Sequence, residues 1–267
     1  MRRKPAVAGR FYSARPPELL RDLERYIEVV TPRQKARGCV VPHAGIMYSG
    51  HVAGAVYGRL ELPSASIILC PNHSRYGQPL AIMSEGEWET PLGNVPIDAA
   101  LANALKQACP GLEEDAEAHR FEHSLEVQLP FLQHLQRNFR FVPIAIGVGE
   151  YEPLEELGRA MAAVVADTAA RPLLVASTDL NHYEPEAVNR IKDRKAIDRI
   201  LALDPRGLYE TVERENISMC GYGPTVAVLT ATRELGAQNA ELVRYATSGD
   251  VTGDRSAVVG YAGIILR

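Results

Sequence analysis

The chain lacks any apolar stretch long enough to span a bilayer. Its basic start, Met1-Arg2-Arg3-Lys4-Pro5, leads into Ala6-Val7-Ala8-Gly9 and not into the apolar core of a signal peptide, so a cytoplasmic protein is expected. No block of like charge occurs. The 29 Lys and Arg and the 33 Asp and Glu are spread along the chain, which argues against a nucleic-acid footprint and against a basic membrane helix. Cysteine is scarce, and the four present, Cys39, Cys70, Cys109 and Cys220, form neither a CxxC zinc pair nor a disulfide framework. There is no Pro/Gly/Ser-rich linker and no internal repeat, so residues 1–267 are expected to form one domain. The absence of Gly-x-Gly-x-x-Gly after the first strand, and of a Walker motif, weakens a nucleotide-binding reading.

What is present is an alternation of apolar strands and helical patterns. Strands are expected at Gly38–His43, Ser66–Cys70, Phe139–Gly147, Leu173–Ser177, Glu241–Tyr245 and Val258–Leu266. Helices are expected at Pro16–Val30, His51–Leu60, from Asp98 to about Ala108, from Ser124 with a break at Pro130, and over Pro153–Ala170, Glu184–Leu203, Pro205–Asn216 and Pro224–Leu235. Residues 80–97 look like a hairpin excursion carrying Trp88, the only tryptophan. The pattern predicts an α/β three-layer sandwich on a central, mostly parallel mixed sheet, with antiparallel pairing near the C-terminus. The charged segment from Glu184 to Arg199 reads as a solvated helix face.

Seven histidines occur: His43, His51, His73, His119, His123, His134 and His182. His43, His73 and His182 each follow an apolar strand within a few residues, at the sheet edge where α/β proteins bind ligands. A shared metal explains that placement, because neutral imidazole is a common metal ligand. Two histidines with one anionic ligand make a set suited to non-haem iron, the anion being a carboxylate or a thiolate. Cys220 is a thiolate candidate: it lies just before a helix, whose N-terminal dipole is expected to lower a thiol pKa. Asp179 and His182, spaced Asp-x-x-His, can orient a ligand or move protons. His123, near Glu126, can supply a second acid/base group. His119 and His134 are expected at the surface.

These motifs, taken in order, resemble those of the Memo family, also called AmmeMemoRadiSam system protein B. The matching stretches are Ala6-Val7-Ala8-Gly9-Arg10-Phe11-Tyr12, Val41-Pro42-His43-Ala44-Gly45, Pro71-Asn72-His73, Trp88-Glu89-Thr90-Pro91-Leu92-Gly93, Glu122-His123-Ser124-Leu125-Glu126, Ser177-Thr178-Asp179-Leu180-Asn181-His182-Tyr183 and Met219-Cys220-Gly221. The resemblance implies a fold like that of the class III extradiol dioxygenases, the LigB-like non-haem iron enzymes. It makes His43 and His73 the metal histidines. Cys220 stands where those dioxygenases carry a glutamate, a departure that speaks against ring cleavage. It implies iron or copper, and in prokaryotes association with an AMMECR-type protein and a radical SAM protein; Fe(II) is expected first, with Cu or Zn as alternatives. The leading expectation is a metal-binding oxidoreductase with His43, His73 and Cys220 as ligands and His123, Asp179 and His182 handling protons around an unknown small molecule. The alternative is a scaffold or binding module on a relict enzyme fold, taking a peptide or anionic ligand, with Trp88 and Tyr48 at the rim. A zinc hydrolase is a third reading.

Overall fold

A computed structural model describes residues 1–267. The chain opens with β1 (Arg2–Arg3), α1 (Pro16–Tyr26), β2 (Gly38–Val41), α2 (Ile46–Tyr57), β3 (Ala65–Pro71) and β4 (Leu80–Ile82). It continues through β5 (Glu87–Thr90), β6 (Gly93–Pro96), α3 (Ala99–Ala108), β7 (Glu113–Glu114), α4 (Glu117–Arg120), a 3-10 turn (Glu126–Gln128), α5 (Leu129–Leu135) and β8 (Arg140–Ile146). The last part holds α6 (Tyr151–Ala166), β9 (Leu173–Ser177), β10 (His182–Glu184), α7 (Glu186–Leu201), α8 (Pro205–Arg214), α9 (Tyr222–Glu234), β11 (Ala240–Thr247), α10 (Gly249–Thr252) and β12 (Val258–Leu266).

Local chemistry explains several boundaries. Pro16 and Pro17 open α1 where no backbone N–H is needed, and the helix buries Leu19 and Leu23. Asp98 caps α3 by accepting a hydrogen bond from the Leu101 N–H at 3.1 Å. Pro130 does not kink a helix. It stands in the first turn of α5, after the 3-10 turn, so the helical pattern from Ser124 restarts there. Every residue of β3 is buried, as its unbroken apolar run requires of a strand covered on both faces.

The large sheet has the order β10-β12-β2-β9-β3-β8-β4-β7, with β11 along the other side of β12. Its middle is parallel: β2 with β9, β9 with β3, β3 with β8. Antiparallel pairs flank that middle, at β12 as expected and also between β4 and β8. Alternation along β12 shows how the layers lie. A Cβ on Gly263 would meet Val52 and Val56 of α2, whereas one on Gly260 would meet Asp193 of α7. Helices α1, α2 and α5 therefore cover one face, and α7, α8, α9, α6 and α3 the other, giving the three-layer α/β sandwich. A small second sheet, β1-β5-β6, carries the hairpin.

Four side chains lie elsewhere than the sequence suggests. Trp88 is fully buried against Phe141 and under the Arg3 guanidinium, so it forms no rim. His119 is also fully buried, beside Trp88, because the loop that looked polar folds beneath the small sheet. Helix α7 is not simply a solvated face. Asn189 and Asp193 are wholly buried, where Asp193 Oδ2 accepts from Asn189 Nδ2 at 2.8 Å and from the Tyr245 hydroxyl at 2.6 Å. Cys39, Cys70 and Cys109 are buried among apolar neighbours, as expected.

Candidate metal centre

Three adjacent parallel strands, β2, β9 and β3, end at one edge of the sheet. Val41 runs into Pro42-His43, Ser177 into Thr178-Asp179, and Pro71 into Asn72-His73. Neighbouring strands thus bring together groups far apart in sequence.

His43 is buried, with Nδ1 3.0 Å from Ser177 Oγ. The single Ser177 proton is already used, since that hydroxyl donates to the Ser124 carbonyl at 2.6 Å. It also accepts from Gln128 Nε2 at 2.9 Å. Gln128 cannot be turned round, because Nε2 donates to the Pro42 carbonyl and Oε1 accepts from the Tyr57 hydroxyl. The proton between His43 and Ser177 therefore belongs to Nδ1, and Nε2 presents a lone pair to the site. Burial, then the charges of His123 and His73, hold His43 far below its ordinary pKa, which keeps that lone pair free.

His73 is oriented by a carboxylate. Its Nδ1 lies 3.0 Å from Glu122 Oε1, and its backbone N–H donates to Glu122 Oε2 at 2.6 Å. Ser124 adds bonds from its N–H and its hydroxyl to Oε1. Burial alone would raise the Glu122 pKa, but these donors and the neighbouring histidines outweigh it and hold the carboxyl well below its usual range. For His73, burial opposes protonation and the Glu122 bond outweighs it, so its pKa is raised. The ionised carboxylate keeps a proton on Nδ1 and turns Nε2 outward, the arrangement that orients metal-bound imidazoles.

His123 completes a group of three. One ring nitrogen from each of His43, His73 and His123 lies within 4.8 Å of the other two. The ring centroids are 5.4 Å apart for His43 and His73, 5.5 Å for His43 and His123, and 4.8 Å for His73 and His123. Nitrogens sharing one ion at ~2.1 Å sit roughly 3 Å apart, so modest ring rotations would close the set. Phe11 backs His123, with centroids 4.7 Å apart, and Glu122 Oε1 lies 3.4 Å from its Nδ1. Burial lowers the His123 pKa. These residues can hold a metal ion.

Cys220 stands beside this group: its Sγ is 3.3 Å from His43 Nε2 and accepts from the Asp179 N–H at 3.4 Å. Its thiol pKa is raised, not lowered, because burial and then the Asp179 charge outweigh the start of α9 nearby. A cation at the His43 nitrogen would reverse that. Asp179 Oδ1 accepts from the His43 N–H at 2.8 Å, and Oδ2 lies 4.0 Å from His43 Nε2. Burial pushes the Asp179 carboxyl up to about 7. His182 donates from Nδ1 to the Ser218 carbonyl at 2.9 Å, which leaves its Nε2 free, and burial lowers its pKa. Its charge bears on His43. The orienting groups Ser177, Gln128 and Glu122 carry no sequence signal of their own, because their roles depend on how the loop before α5 packs over the sheet edge.

Comparison with known proteins agrees in one direction. A MEMO1 family protein of Methanopyrus kandleri is 45% identical over 281 residues, covering 100% of this chain and 99% of that protein. One from Methanosarcina mazei is 44% identical over 267 residues, covering 99% of each chain. Another, from Methanothermobacter thermautotrophicus, is 43% identical over 274 residues, covering 98% of this chain and 99% of its own. The family model described as Memo-like protein matches residues 3–265, and the chain belongs to that family.

Proposed function

We propose that this protein is a metal-dependent oxidoreductase whose ion is held by His43 and His73 through Nε2, with His123 and the Cys220 sulfur completing the donor set. The observation that carries the reading is the pair of fixed tautomers. Ser177 and Glu122 each commit a histidine proton to Nδ1, so Nε2 is the lone-pair nitrogen of both rings, and a ring nitrogen of each lies within 4.8 Å of the other. The donor set, three imidazoles and a thiol, suits Fe(II), Cu or Zn, and the family resemblance favours Fe(II). Bound there, a redox-active ion supplies electron-transfer chemistry that no side chain can provide. The chain's own part is to orient the ligand and handle protons. Asp179 sets Oδ2 4.0 Å from His43 Nε2, and His182 keeps Nε2 free at the next strand exit. The scaffold alternative loses its aromatic rim, because Trp88 is buried.

The test is metal analysis of protein purified without oxygen. The wild type should carry stoichiometric metal, and His43→Ala and His73→Ala should lose it while keeping their circular-dichroism spectrum. Unchanged metal content in His43→Ala would sink the reading.

A further inference from the structure

On β12, one tyrosine stands apart from the site's assigned groups. Beyond the β12–β2 pairing, the Gly260 N–H donates to the Asn181 carbonyl and its carbonyl accepts from the Leu180 N–H, so Tyr261 lies beside the segment that carries Asp179. Tyr261 clusters with Val52 of α2 and Ala246 of β11, and Ala44 and Tyr48, just beyond His43, pack against that cluster. The residue is only 2% exposed. Yet its hydroxyl makes no hydrogen bond within the protein and is not among the sealed, unpartnered polar atoms. The ring is thus buried while its oxygen opens outward. Asp179 lies close enough for its charge to bear on the phenol, as do Tyr48 and Tyr183. The neighbouring strand offers a contrast, because Tyr245 spends its hydroxyl on Asp193 at 2.6 Å.

A buried phenol ring whose hydroxyl opens outward without a protein partner leaves a positioned donor free for a bound molecule. Asp179 lies nearby: its neighbour Leu180 donates its backbone N–H to the carbonyl of Gly260, the residue before Tyr261. A free phenolic donor of this kind matches a hydroxyl oxygen, which can accept from Tyr261. We propose that Tyr261 is a ligand-binding residue of the histidine centre, its hydroxyl donating to an oxygen of a hydroxyl-bearing ligand held there. This rests on the metal centre proposed above.

Acetohydroxamic acid, a small metal-binding hydroxyl compound, is the probe. Wild type, Tyr261→Phe and Tyr245→Phe, each loaded with metal, are titrated by calorimetry after their metal content is measured. Tyr261→Phe should retain metal and bind the probe about tenfold more weakly, the effect of one hydrogen bond. Tyr245→Phe should melt at a lower temperature and bind the probe like the wild type. Equal affinity in Tyr261→Phe, equal weakening in both variants, or no binding to the metal-loaded wild type would overturn the role of Tyr261. A wild type that takes up no metal would overturn the centre itself, which the metal analysis reads separately.

Discussion

Glu122 does more at the centre than its lack of any direct ligand role suggests. It accepts from the His73 ring and backbone, lies near the His123 ring, and is itself held by Ser124. A neutral glutamine keeps the shape but removes the charge that fixes the His73 proton on Nδ1. Glu122→Gln should weaken metal binding about 10- to 100-fold, as such orienting partners do elsewhere. Competition against a chromophoric chelator measures this, and unchanged affinity would refute the orienting role. Ser177→Ala is the parallel case at His43 and should weaken metal binding in the same direction. At this scale the chain is partly legible. His43 and His73 announce themselves by following apolar strands. His123 shows as an acid/base candidate, but its place beside the other two does not show, because it arrives from a loop and not from a strand. Ser177 reads as the end of a strand, and only the fold reveals where its proton goes.

Among the elements, the N-terminal arm carries the clearest energetic argument. Glu126, wholly buried in the turn before α5, accepts from Arg3, from the Ala6 and Val7 N–H groups and from the Tyr12 hydroxyl. Arg3 is nearly buried and forms the 2.6 Å ion pair with it. The arm so held lays Phe11 against His123 and accepts the Ile46 N–H on the Phe11 carbonyl, at the start of α2. Glu126→Ala leaves Arg3 charged and buried with backbone carbonyls but no carboxylate, and should cost about 3–5 kcal/mol in urea unfolding. A loss below about 1 kcal/mol would show that the carbonyls of His119 and Glu122 suffice for Arg3 and that the clamp is weak. The spacing of His123 and Glu126 is visible in the sequence, but a capping box is the natural reading, and the arm as partner is not. Helix α7 teaches the same lesson. Its charges suggest solvent, while Asn189 and Asp193 turn inward onto Gly260, where the missing side chain leaves room for a carboxylate.

For the molecule as a whole, buried imidazole makes stability depend on pH. His119 is sealed between the small sheet and the core, and neither ring nitrogen makes a well-formed hydrogen bond, although the Ala81 backbone lies close by. Burial, and then the Arg3 charge, lower its pKa from 6.5 to about 4. Between those values the unfolded chain binds the proton and the folded chain does not, so the folded state loses ground as pH falls. The contribution is intact above pH 6.5 and is lost as pH falls toward about 4, a change worth about 3 kcal/mol. His43, also lowered chiefly by burial, pulls the same way. His119→Phe keeps a ring of similar shape against Trp88 and gives up no well-formed hydrogen bond. It should match the wild type within about 1 kcal/mol at pH 7 and exceed it by about 2–3 kcal/mol near pH 4.5. Urea unfolding of both proteins at the two pH values decides it. Parallel losses of stability on acidification would mean that His119 takes up its proton in the folded protein, and that the acid sensitivity of the fold comes from elsewhere.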